Sequence, residues 1–236
     1  MKKRMWLMLL LAVLASIDVI AADKLRLSVS SPIVAGDSDG SHSREDGQSA
    51  PKGTDASNVN SGVAPEAVSA VIRGELALFP IPNSTVHPEY QAVFEDSWMT
   101  ERTFGGDRGH EGTDIMLSPD ERGLFPVLSM TDGVVEKKGW LPQGGYRLGI
   151  RSAGKIYYYY AHLCDYAEGI EAGCTVVAGQ LLGFAGDSGY SNIEGTVGNF
   201  PVHLHVGIYY DDEQGKETAV NPYPFLVSLE TVRIAF

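Results

Sequence analysis

From residue 76 onward, the apolar positions come in short alternating runs rather than in a helical stripe. YRLGIRS (146–152), KIYYYYAHL (155–163) and PVHLHVGIYY (201–210) each carry a run of apolar or aromatic residues at alternate positions, the period of a strand with one buried face. Glycine-bearing turns separate them: Thr131-Asp132-Gly133, the stretch from Leu141 to Gly145, Gly154, Ala172-Gly173 and Ala178-Gly179. Short strands at regular spacing with such turns predict an antiparallel β-domain over 76–236. LALFPIPNST (76–85) suits an irregular entry strand, and NPYPFL (221–226) is a proline-broken close. No repeat of 20 to 50 residues is visible.

Upstream the pattern changes twice. Lys2, Lys3 and Arg4 precede an apolar run from Met5 to Ile17 that Asp18 breaks, and Ala21 and Ala22 offer small residues for cleavage. Residues 1–22 therefore read as a signal peptide, with an uncleaved anchor as the alternative; the run is shorter than the roughly 20 residues of a membrane span. Residues 23–75 are dominated by Ser, Gly, Asp, Asn and Pro, a composition that buries too little apolar area to offset ordering entropy. They predict a disordered linker, within which APEAVSAVIR (64–73) has the makings of a short helical turn. His42 falls in this stretch as a solvated residue, and His87, beside Pro88, reads as a surface turn.

A net charge of −12 argues against nucleic-acid binding, which needs a basic surface to displace counterions. Export permits a disulfide between the two cysteines, Cys164 and Cys174, but their spacing equally suits two free thiols.

Three short motifs hold the chemistry. In the strand 201–210, Val202, Leu204, Val206 and Ile208 share an apolar face, and His203, His205, Gly207 and Tyr209 share the other. The two imidazoles then stand about 7 Å apart, so that one can ligate a metal while the other reaches its bound water. HEGTD adds His110 and Asp114, whose nitrogen and carboxylate oxygen are both good zinc ligands, with Gly112 letting the main chain bend between them. Glu111, by strand alternation, points away from both. YAHL supplies His162, which by the same alternation shares a face with Ile156, Tyr158 and Tyr160, and Asp165 follows as a group to orient it. Two imidazoles and one carboxylate leave an open position on zinc for a water, whose pKa the metal lowers from 15.7 to about 7, and a neutral histidine nearby can carry its proton. If the zinc were structural, Cys164 would be the candidate fourth ligand, two residues after His162.

In order, spacing and flanks, HEGTDIM, YAHL, GQLLGFAGDSG, FPVHLHVGIYY and NPYPFL resemble the lysostaphin-type zinc metallopeptidases of the M23 family, over roughly residues 79–226. The resemblance implies an antiparallel β-sheet core with loops walling a groove. It implies His110, Asp114 and His205 as zinc ligands, which settles the choice within HLH, and His162 and His203 as catalytic histidines. It further implies peptidoglycan cross-bridges or stem peptides as substrate. The chain is thus expected to be a secreted or cell-wall-associated zinc endopeptidase, monomeric, touching a membrane only through an uncleaved N-terminal segment. The alternative is an inactive wall-binding or regulatory protein of the same fold. One departure stands out: the tyrosine that many relatives carry shortly before the first ligand is absent here, and Phe104 occupies that neighbourhood.

Overall fold

The structure, a computed structural model, describes residues 61–235. The expected signal segment and residues 23–60 of the expected linker, with His42, lie outside the described residues.

Folded structure begins before residue 76, which corrects the expected boundary. Helix α1 (Glu66–Glu75) lies within the stretch assigned to the linker. Glu66 in its first turn and Arg73 in its last complement the helix dipole and pair with each other. Its fully buried Ile72 joins the main core, as does Ala64 just ahead of it. Glu75 ties the helix to the sheet: its carboxylate accepts hydrogen bonds from Gly154 N (2.6 Å) and the Tyr158 hydroxyl (3.2 Å). One well-placed isoleucine and one carboxylate anchor a segment whose average composition reads as a linker.

The rest is mainly antiparallel β-structure, as expected. The central ladder runs β1 (Gln91–Phe94), β4 (Thr113–Ser118), β11 (His203–Asp211), β8 (Tyr157–Tyr166), β7 (Gly145–Arg151), β6 (Gly133–Leu141) and β9 (Thr175–Val176). Strand β10 (Leu181–Ala185) pairs with β8 and with β5 (Pro126–Leu128), and β12 (Glu217–Val220) pairs with the outer half of β11. A small hairpin, β2 (Glu101–Arg102) with β3 (Arg108–Gly109), stands apart. Helix α2 (Tyr223–Leu229) replaces the proline-broken close. Its prolines fall at the start, where a missing N–H costs no helical bond, and Asn221 Oδ1 accepts from Tyr223 N.

One face of the sheet carries the core. Leu204, Val206 and Ile208 of β11, Tyr158 and Tyr160 of β8, and Leu148 and Ile150 of β7 are buried together with Phe79, Ile81 and Leu226. The Tyr160 hydroxyl sits wholly inside and accepts a hydrogen bond from Met130 N at 2.9 Å. The opposite face carries Tyr157, Tyr159, His205 and Tyr209 and forms the floor of an open groove.

Strict alternation along β8 is therefore wrong for His162. On β7, one residue separates Tyr146 from Leu148, whereas their partners on β8, Leu163 and Tyr160, have two between them. That extra residue is a β-bulge: His162 takes a left-handed backbone with φ 62°. Tyr160 and Leu163 both face the core, and Ala161 and His162 together take the groove side. Without the bulge, His162 would follow Tyr158 and Tyr160 inward.

Candidate metal centre and groove

Sheet register brings the site together. Asp114 of β4 lies directly opposite His205 of β11, which lies opposite Ala161 of β8, next to the bulged His162. His110 enters from the loop before β4, its backbone exchanging hydrogen bonds with Met99 and Thr100. Gly112 gives His205 its place: a Cβ on Gly112 would stand 2.3 Å from the ring's Cε1. The predicted role of Gly112 was a backbone bend; what the site needs from it is the missing side chain.

Three ligand-type atoms converge. His110 Nε2 is 3.0 Å from His205 Nδ1 and 3.1 Å from Asp114 Oδ1, and those last two are 2.9 Å apart. A tetrahedral ion bound at about 2.0–2.2 Å holds its ligand atoms roughly 3.3–3.6 Å apart, so this triangle has to open by only a few tenths of an ångström to seat one. The trio, and no cysteine, forms the cluster among the described residues that could hold a metal ion. Cys164 is not part of it, which removes the support for a closed structural zinc, and Cys164 and Cys174 are free thiols.

Backbone carbonyls orient the imidazoles. His110 Nδ1 lies 3.1 Å from the Ser97 carbonyl, His162 Nδ1 2.8 Å from that of Ser188, and His203 Nδ1 2.8 Å from that of Pro201. For His162 and His203 the carbonyl accepts a hydrogen bond from Nδ1–H, leaving Nε2 as the free lone pair. Asp165, the expected orienter of His162, is exposed and bonds its neighbour Tyr166 instead. The Ser188 loop is itself pinned by Asp187, which pairs with Arg122 (2.6 Å) and accepts from Gly198 N.

Electrostatics favour the neutral form of His162 and His205 and the ionised form of Asp114. Burial, with the neighbouring His203 and His205 adding to it, drives His162 well below its ordinary value. Burial also lowers His205, against the opposing pull of Asp114. Burial alone would raise the Asp114 carboxyl, yet hydrogen bonds from His110 and His205 hold it far below the usual carboxylate range. Its second oxygen accepts from Arg102 Nη2 at 3.0 Å, so Arg102 is engaged in orienting Asp114.

The five expected residues meet, with unequal exposure. His110, Asp114, His162 and His205 line a groove of about 540 Å³. His203 does not; its ring packs 4.6 Å from His162 and 5.1 Å from Phe200, with Nε2 3.8 Å from Asp114 Oδ1. Glu111 lines the groove rather than pointing away from it, because residues 110–112 precede the strand. His87 is exposed and pairs with Glu89, outside the site. Phe104 stacks on Tyr190 (5.3 Å), and the Tyr190 ring meets His162 edge-on at 5.9 Å in the groove wall.

Residues 108–222, a stretch containing all five site residues, match the peptidase family M23 profile. Over this segment the chain resembles the M23 peptidases. The chain is 45% identical over 152 residues to the L-Ala–D-Glu endopeptidase of Bacillus subtilis (strain 168), covering 64% of this chain and 43% of that one. It is 30% identical over 121 residues to the glycyl-glycine endopeptidase ALE-1 of Staphylococcus capitis, covering 50% and 29%. The chain thus spans less than half the length of these curated relatives. A crystal structure from Ruminococcus gnavus, described as a candidate glycyl-glycine endopeptidase lytM, superposes with a TM-score of 0.64 at 54% identity, over 70% of this chain and 64% of that one. The M23 likeness agrees with the antiparallel sheet and with the order of the three motifs along it. Sequence reasoning passed over Ser97, Ser188 and Tyr190. The two serines act through main-chain carbonyls, which leave no side-chain signature, and Tyr190 lies outside the three motifs.

Proposed function

We propose that this M23-like domain is a zinc-dependent endopeptidase that hydrolyses peptide bonds in bacterial peptidoglycan, with His110, Asp114 and His205 as metal ligands and His162 and His203 as catalytic histidines. The observation that carries this reading is the triangle of His110 Nε2, Asp114 Oδ1 and His205 Nδ1, open toward the groove beside two further imidazoles. Zinc held there supplies Lewis acidity to a water and to the scissile carbonyl. His162, neutral and with Nδ1–H fixed on the Ser188 carbonyl, accepts a proton from the attacking water at Nε2 and returns it to the leaving nitrogen. The water oxygen bonds to the carbonyl carbon as the C–N bond breaks, so one water is consumed per bond. His203, fixed by the Pro201 carbonyl and packed 4.6 Å from His162 with its Nε2 3.8 Å from Asp114 Oδ1, acts from beside the groove to hold the attacking water. Tyr190 in the groove wall supports charge on the carbonyl oxygen. An exported enzyme at the cell wall is the setting this substrate requires. The relatives' names mark two candidate bonds, L-Ala–D-Glu and glycyl-glycine.

Metal analysis and muropeptide release from purified walls test the reading together. The wild-type protein should bind one zinc and release peptides, His110→Ala should lose both properties, and His203→Ala should keep zinc and lose hydrolysis. Normal hydrolysis by His203→Ala refutes the role assignment. Zinc-bound wild-type protein that cleaves no wall chemotype supports the wall-binding alternative.

A further inference from the structure

Among the described residues, two groove arginines hold buried guanidinium nitrogens that lack a hydrogen-bond partner. Nε and Nη1 of Arg147, and Nε of Arg108, are buried without any hydrogen bond, and neither side chain forms an ion pair among the described residues. Both line the same groove as the metal cluster. Arg108 lies two residues before His110 on β3, and Arg147 lies on β7 directly across from the bulge that carries His162. The same groove is floored by Tyr159, whose ring meets His205 at 5.8 Å.

Nearby carboxylates are committed elsewhere or stand apart. Asp114 faces the histidines and Arg102, Glu136 is paired with Arg151, and Glu217 lies 3.9 Å from Arg151. Glu111 is exposed on the rim and makes no ion pair. Buried charged donors left bare are rare in folded proteins, because their desolvation goes uncompensated. Glycines seat the tyrosine rings of this floor: a Cβ on Gly149 would meet the Tyr157 hydroxyl at 1.8 Å, and one on Gly144 the Tyr159 hydroxyl at 2.1 Å. A planar carboxylate is the group that two guanidinium forks satisfy, through paired charge-assisted hydrogen bonds.

Resting on the peptidase reading above, we infer that Arg147 and Arg108 form a carboxylate-binding subsite, which selects peptides carrying a free carboxylate next to the cleaved bond. A γ-linked D-glutamyl residue of a stem peptide keeps its α-carboxylate free and presents such a group. An oligoglycine bridge presents none within its chain. The subsite thus directs the groove to acidic stem peptides.

The probes are two stem-peptide analogues in which the scissile L-Ala–D-Glu amide is reduced to CH2–NH. One has the glutamyl α-carboxylate and the other the α-carboxamide, and both end in a C-terminal amide. Titration calorimetry with the wild-type full chain should show the acid binding at least about tenfold more tightly than the amide, as a charge-assisted pair in a desolvated groove provides. Arg147→Gln should abolish that preference, and Arg108→Gln should reduce it. Equal affinity of the wild type for both analogues overturns the subsite, as does a preference that survives Arg147→Gln. A third analogue, the carboxamide with its C-terminal carboxylate restored, separates the two possible carboxylates; binding as tight as that of the acid overturns the assignment to the glutamyl group. Hydrolysis of the unreduced peptides is measured in parallel. Acid-selective binding without hydrolysis upholds the subsite and refutes the peptidase reading, whereas equal binding and equal hydrolysis of acid and amide does the reverse.

Discussion

Gly112→Ala tests whether the space beside His205, rather than the donor set alone, makes the metal centre. The new methyl would lie 2.3 Å from His205 Cε1, 2.5 Å from Nε2 and 2.8 Å from the Val206 carbonyl oxygen, where ordinary contact begins at 3.4 Å. The ring has to give by about an ångström. It is backed by Tyr159 at 5.8 Å and tethered to Asp114 at 2.9 Å, so it has little room to give without leaving the His110–Asp114–His205 triangle. Overpacking of this kind costs about 1–3 kcal/mol of fold stability. The larger effect falls on metal binding, which drops by about 10–100-fold when ligand orientation is lost. Zinc affinity from competition with a chromophoric chelator and thermal unfolding of the metal-free protein read the two effects separately. Gly74→Ala is the control, since a Cβ there meets nothing within 4 Å and a helical glycine replaced by alanine should stabilise slightly. Wild-type zinc affinity in Gly112→Ala would refute the packing argument, because it would mean the ring can leave its present position and still complete the centre.

Two further substitutions probe the core and the groove. Tyr160→Phe removes the buried acceptor for Met130 N and should lower stability by about 1–3 kcal/mol in denaturant melts, leaving zinc content unchanged; a melt like that of the wild type would mean the Met130 amide finds another partner. Tyr190→Phe should reduce kcat by about 10²-fold with little change in KM, the signature of a donor that acts in the transition state; an unaltered kcat would return the missing hydroxyl of the Phe104 neighbourhood to another residue.

Much of the fold could be read from the chain because strand alternation is local. The apolar face of Val202, Leu204, Val206 and Ile208 is buried as written, and β7, β8 and β11 lie where their patterns predicted. The five candidate site residues could be proposed from the chain because metal and acid–base chemistry restricts residue type, and three short motifs held all of them. Two features were hidden by averaging. Helix α1 sits at the edge of a polar stretch whose composition masks Ile72, and α2 begins at prolines that look like breakers until their place in the first turn is known.

By itself, then, the sequence determined an antiparallel β-domain and a set of histidines and a carboxylate suited to one metal. The tertiary structure decided how they face one another. Pairing register put Asp114 opposite His205, and the bulge on β8 turned His162 out of the core that alternation would have given it. A bulge is a mismatch between two strands, so it belongs to neither strand's sequence alone. The unpaired guanidiniums of Arg108 and Arg147 belong to the same level, since whether a charge has a partner depends on which distant residues are folded beside it.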